Sequence, residues 1–265
     1  NEINGEAVNF ITDALINNTT LKNLNLSNNR INDEAINHLT NALVNNTTLR
    51  ELGFRNNPSV TATGWGAFSG VLQSPVSALE KLDLYSNSIN EGTMISLATS
   101  LANNQKLKEL ILDYNPNINA NGWAAFSHVV CSSSSIMDTY HSNHMLQKLW
   151  EDDDQDELPE DLRSHLRINR ENCKSAAARL KILKTHFREG ITVHPFVDSE
   201  SKALPHAIAW MGKDGRTNEV NVHLYGFLRS MPSLFDVDHQ NKKRKDTLLL
   251  DIDSKNRKRK MEVND

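Results

Sequence analysis

A nine-residue pattern that recurs four times restricts what this chain can fold into. "LKNLNLSNN" starts at Leu21, "LRELGFRNN" at Leu49, "LEKLDLYSN" at Leu79 and "LKELILDYN" at Leu107, so the starts lie 28, 30 and 28 residues apart. Periods of roughly 20–50 residues mark solenoids and related arrays, in which each unit can bury its apolar face only against its neighbours. The ninth position is Asn every time: Asn29, Asn57, Asn87 and Asn115.

The second half of each unit changes period. Ile31, Ala35, Leu39, Ala42 and Leu43 fall at helical spacing, and Ile89, Met94, Leu97 and Leu101 take the corresponding places two units later. Asn32, Asp33 and Glu34 suit a helix start, and "VNNTT" and "ANNQK" suit its exit. Each unit therefore reads strand, turn, helix, turn. Residues 3–20 read as the helical half of a preceding unit, so the piece is expected to begin inside a repeat. A longer period overlies this one. "NPSVTATGWGAFSGVL" at 57–72 matches "NPNINANGWAAFSHVV" at 115–130, 58 residues later. The even units gain one residue, at Pro58 or Pro116, and carry Trp65 and Phe68 or Trp123 and Phe126. The helical spacing of these aromatics places them in the core rather than in a binding cluster.

The pattern LxxLxLxxNxI followed by a helix resembles leucine-rich repeats of the ribonuclease-inhibitor type, over about residues 3–136. The resemblance implies an α/β solenoid bent into a horseshoe, with parallel inner strands on the concave side and outer helices. It also implies a protein-binding role. "SNHMLQKLW", "INRENCKSAAARLKILKTHF" and "LRSMPSLFD" resemble segments of uncharacterised diatom leucine-rich-repeat proteins, which bring no known activity.

On such strands positions four and six face the core, and positions three, five and seven point outward. The outward residues expected to contact a partner are Arg55, Asp83, Tyr85, Ile111 and Asp113. Asn29, Asn57, Asn87 and Asn115 are expected to form a structural ladder. The chain turns sharply there, and a buried amide can both donate to and accept from the backbone. Ran GTPase-activating proteins, also similar in repeat type, imply an alternative role as a GTPase-activating regulator, with Arg55 or Arg30 as the strand-edge arginine that this resemblance would require.

Composition agrees with a thin fold: 38% hydrophobic residues is low for a compact globule of 265 residues. A net charge of −4 argues against the whole chain as a polyanion binder. The two cysteines, Cys131 and Cys173, make no disulfide framework and suit a reducing, intracellular compartment, nucleus or cytoplasm. No apolar run is long enough for a membrane span, and no leader is visible.

Three regions are expected: the solenoid at 1–150, a helical cap or small helical domain at 151–236, and a basic disordered tail at 237–265. Within the first, 136–150 reads as a degenerate last repeat that keeps Leu146 and Leu149. The acidic stretch "EDDDQDE" at 151–157 stands where its strand would be; it lacks the spacing of a calcium loop and reads as a solvated connection. "LPEDLRSHLRINREN" and "CKSAAARLKILKTHF" read as helices that close the open end. The tail holds Lys242, Lys243, Arg244 and Lys245, then Lys255, Arg257, Lys258, Arg259 and Lys260. Two such clusters resemble a bipartite nuclear import signal. Nucleic-acid contact through them is an alternative, weakened by the absence of aromatics for base stacking.

No catalytic constellation emerges. His141 and His144 are spaced like a ligand pair, but no second pair completes a metal site. Phosphate-binding and nucleophile-elbow motifs are missing. Cys173 reads as a free thiol at a helix start, and the Asn-x-Thr sequences at Asn18 and Asn46 read as ordinary turns. The sequence thus predicts a monomeric, non-catalytic protein-binding scaffold with no cofactor and no metal.

Overall fold

A computed structural model of the chain describes residues 3, 5–151 and 158–186. The chain divides into two compact units, Asn1–Thr185 and His186–Asp265, and nearly all of the second falls outside the described residues.

The first unit is an α/β repeat solenoid. Helix α1 (Gly5–Ile16) leads into strand β1 (Asn23–Asn25), and the alternation continues through α2 (Asp33–Leu43), β2 (Glu51–Gly53), α3 (Ala62–Gln73), β3 (Lys81–Asp83), α4 (Glu91–Leu101), β4 (Glu109–Ile111) and α5 (Ala120–Val130). The strands are three residues long and form one parallel sheet in chain order. Their register aligns Leu24, Leu52, Leu82 and Leu110. The recurring LxxLxL pattern imposes that register, because each crossover returns the chain one rung along with the same leucines facing the core.

The degenerate stretch still makes a rung. Lys148 pairs with Glu109, the Leu110 amide donates to the Lys148 carbonyl at 3.0 Å, and the Leu112 amide to that of Leu149 at 3.2 Å. The rung thus begins at the LxxL motif itself, ahead of the acidic stretch expected to replace it. Of that stretch only Glu151 is described.

Leu26, Phe54, Leu84 and Leu112, at the sixth position, are all 1% exposed or less. With the fourth-position leucines and the inner helix faces they form one continuous core running from Val8 to Leu166. Each such side chain contributes roughly 1.5–3 kcal/mol through burial. Even repeats are filled by rings: Phe54, Trp65 and Phe68 meet edge to face at centroid distances of 5.6–6.2 Å. Odd repeats are slimmer, with Met94 and Leu97 in that layer. Gly122 of α5 lies against Met94, and an added Cβ there would come within 3.0 Å of the methionine Cβ.

Helix starts follow the sequence signals. Asn32, Asn90 and Asn119 accept from the amides of Ala35, Thr93 and Gly122 at 3.0–3.1 Å. Beyond the repeats come α6 (Ile136–His141), α7 (Glu160–Glu171) and α8 (Lys174–His186). Leu158, Leu162 and Leu166 carry the repeat core onward, so α7 closes the end that α5 leaves open. No described helix is long and apolar enough to cross a membrane.

Candidate functional site

The turn after each strand shapes the outward face. Its eighth position adopts a left-handed conformation in all four repeats, at Asn28 (φ 58°), Asn56 (52°), Ser86 (51°) and Tyr114 (56°). Asn takes this conformation readily, whereas a bulky tyrosine does so at a cost.

Position nine follows, with its side chain turned inward. Asn29, Asn57, Asn87 and Asn115 are at most 6% exposed. The Oδ1 of each accepts from a backbone amide of the preceding repeat: Ile3 to Asn29 (3.1 Å), Ile31 to Asn57 (3.3 Å), Asn57 to Asn87 (3.0 Å) and Asn87 to Asn115 (3.0 Å). From Asn57 on, the Nδ2 also donates to the sixth-position carbonyl of the preceding repeat, on Leu26, Phe54 and Leu84. The four residues therefore satisfy buried backbone and offer nothing to a ligand.

A second asparagine column lies on the opposite turn, although its members read in sequence as ordinary turn residues. Asn18, Asn46, Asn104 and Asn143 stand three residues before the first leucine of a rung. Each Oδ1 accepts from the amides two and three residues on, as Asn104 does from Lys106 (2.9 Å) and Leu107 (2.8 Å). Asn104 and Asn143 also donate to the helix-end carbonyls of Leu72 and Leu101, both at 2.7 Å. The fixed offset from leucine is the sequence signal that gives this column away.

Three of the five expected contact residues come together. Arg55 Nε donates to Asp83, its Nη2 to Glu151 Oε1 at 2.6 Å, and its guanidinium sits 4.9 Å over the Tyr85 ring. Tyr85 in turn packs against Tyr114, with centroids 4.8 Å apart. These residues belong to the second, third, fourth and fifth rungs, so the group forms a ridge across the sheet. Hydrogen bonding to Glu151 and then Asp83 raises the Arg55 pKa further above its ordinary value, and Arg55 lowers that of Glu151. Loss of solvent and the neighbouring Tyr114 raise the Tyr85 phenol. Tyr114 is 70% exposed. Neither Tyr114 nor Glu151 stands out in the sequence, where one is a turn position and the other part of an acidic connection.

The expectation that Ile111 and Asp113 present themselves to a partner is corrected. They are 2% and 3% exposed. The fifth rung gives β4 a neighbour on both sides, and the Glu151 amide donates to Asp113 Oδ2 at 2.8 Å. Asp83, at 8%, is likewise a support, accepting from the Tyr85 amide and from Arg55.

At the far end Lys181 of α8 is fully buried. Its ammonium donates to the Val130 carbonyl (2.6 Å), the Asn143 carbonyl (3.1 Å) and His144 Nδ1 (3.3 Å). This arrangement requires a neutral His144, whose Nε2 donates to the Tyr140 carbonyl at 3.0 Å. Burial, and then the adjacent ammonium, pull His144 down to about 4, and burial pulls Lys181 down to about 7. His144 thus serves this contact, while His141 is exposed. Cys131 lies 3.5 Å from the Thr185 hydroxyl, and burial raises its thiol pKa. Cys173 is exposed, and a hydrogen bond from Ser175 lowers its pKa. Among the described residues no group of three acidic, histidine or cysteine side chains could hold a metal. Of the two arginines considered for a GTPase-activating role, Arg30 is exposed and Arg55 is engaged by two carboxylates. The basic clusters Lys242–Lys245 and Lys255–Lys260 lie outside the described residues.

Residues 20–42 match the family model described as Leucine Rich Repeat. The match falls on the first full repeat of the α/β solenoid, β1 and most of α2. Among solved structures, the tropomodulin C-terminal domain of Caenorhabditis elegans is similar at 18% identity and a TM-score of 0.50, covering 62% of this chain and 93% of that one. Leiomodin-1 actin-binding site 2 matches at 18% identity and a TM-score of 0.46, over 68% of this chain and 91% of its own. No curated protein sequence matches.

Proposed function

We propose that the chain is a non-catalytic protein-recognition module that grips its partner through the outward sheet face, centred on Arg55, Tyr85 and Tyr114. The ridge carries this reading. Two tyrosines and an arginine are held in place before any partner arrives, so little side-chain freedom is lost on binding. Exposed aromatics and arginine are also the residues that most often dominate interface energies. Asp83 and Glu151 hold the arginine in position. The repeats are of the ribonuclease-inhibitor type on this proposal, supported by the 28- and 30-residue spacing and by the helices of 11–12 residues between strands. Kinship with the diatom proteins, action as a monomer and nuclear entry through the two basic clusters form part of the same reading.

The test is capture of a partner by the intact chain, compared with the double variant Tyr85→Ala/Tyr114→Ala. The expected result is an affinity loss of at least tenfold, since truncating a hot-spot side chain costs about 2 kcal/mol or more. The urea midpoint of the double variant must match its scaffold. Undiminished binding would sink the proposal.

A further inference from the structure

Beside the ridge the outward face has a hollow of about 320 Å³. It owes its existence to Gly53, the one fifth-position residue among the four strands without a side chain. In the first and third strands that position serves the turn: Asn25 Oδ1 accepts from the Ser27 amide at 2.9 Å, and Asp83 Oδ1 from the Tyr85 amide at 3.1 Å. Gly53 can do nothing of the kind for Arg55. Instead the Ser27 hydroxyl of the preceding repeat accepts from the Arg55 amide at 3.1 Å. A Cβ at position 53 would crowd that hydroxyl at 3.2 Å and Asn25 Oδ1 at 3.0 Å. The Ser27 hydroxyl and the Asn25 side-chain amide thus close on Gly53, and any side chain at this position would have to displace them.

The lining of the hollow has an unbalanced charge. Glu51 stands opposite Lys81 in the register, yet the Lys81 ammonium turns away to Glu109, 3.1 Å off. On the far wall Asp83 is already held by Arg55. That leaves the Glu51 carboxylate exposed and without an ion pair among the described residues, and the Asn23 amide beside it makes no hydrogen bond there. A carboxylate, a free amide and a short floor of strand together suit one occupant: an extended side chain with a cationic tip. A carboxylate from outside would meet Glu51 and Asp83, and a bulky apolar group would desolvate both.

We propose that the Gly53 hollow is a specificity pocket for a single lysine or arginine of the protein partner, which inserts between Asn25 and Asp83 and pairs with Glu51. The proposal rests on the sheet face being the recognition surface. The ridge would supply the anchor, and the hollow would select a basic residue one rung away from it.

The probe is a library of random twelve-residue peptides displayed against the intact chain. Selected peptides are then measured on Glu51→Gln, on Gly53→Ser and on the double tyrosine variant. The expected outcome is convergence on one invariant Lys or Arg, with affinity falling roughly tenfold or more on Glu51→Gln, as befits loss of a charge-assisted hydrogen bond. Gly53→Ser, which intrudes on the floor of the hollow, should act the same way. Peptides that lack an invariant basic residue, or that bind both variants as tightly as the parent, overturn the pocket. If those same peptides are lost on the tyrosine variant, the ridge stands and only the pocket falls. Selection of no peptide, or of peptides indifferent to all three variants, overturns both. Glu51 is exposed, so Glu51→Gln decides the matter even where Gly53→Ser unfolds the chain.

Discussion

Tyr114 occupies a left-handed backbone position and presents an exposed ring to the ridge. Backbone strain of this kind tends to persist where a side chain is needed for something other than stability. Comparing Tyr114→Gly with Tyr114→Ala isolates the strain, because both lose the ring. Glycine is expected to be the more stable by about 1 kcal/mol, read as a higher urea midpoint. Equal midpoints would mean that the turn tolerates a Cβ freely. At the ninth position the expectation runs the other way. Asn87→Ala leaves the Asn57 amide without its acceptor, while the Phe54 and Tyr85 carbonyls lose one donor each and keep those from Asn57 Nδ2 and the Asn56 amide. A destabilisation of roughly 1–3 kcal/mol should follow in chemical denaturation. Both positions sit in one short turn, yet only the asparagine could be assigned from sequence. Its recurrence in every repeat is visible, whereas Tyr114 shares position eight with two asparagines and a serine and looks like turn filler.

Helix α8 is tied to the last full repeat by a contact that involves protonation. Its Lys181 reaches the carbonyl end of α5 and His144 together. His144 titrates at about 4 in the folded chain, against an ordinary value of 6.5. Below 6.5 the unfolded chain binds a proton that the native one refuses. The contribution is therefore present above 6.5 and is lost as pH falls towards 4. Urea midpoints from pH 8 to pH 4 should decline more steeply for the parent than for His144→Gln. Parallel curves would show that His144 is not coupled to folding. Lys174 of α8 adds to the positive charge that His144 feels, whereas Asp161 of α7 and Lys184 of α8 act on the neighbouring Cys131. The helices themselves were legible, because apolar spacing gives the face of α7 directly. The lysine was not, since a charged residue in an alanine-rich helix reads as solvated until the fold brings three acceptors around it.

At the scale of the whole unit, the repeats and the closing helix share one core. Leu166 of α7 is fully buried and belongs to that core. Leu166→Ala should cost about 2–5 kcal/mol and lower the stability of the repeats in a single shared transition. A repeat transition that stayed in place would instead mark α7 as separately folding. The fold was readable because leucine and asparagine recur in step; the ridge was not, because it joins four rungs through residues 96 positions apart at its extremes. The alternation of full and slim repeats has a consequence for how such a chain can change length. Each bulky layer of Phe54, Trp65 and Phe68 is next to a slimmer one, and Gly122 fits against Met94 of its neighbour. Duplicating one repeat would set like against like at the seam, overfilling one junction or leaving a void. Duplicating 58 residues preserves every neighbour and every one-way amide bond of the ladder. The heritable unit of growth in this architecture is the pair.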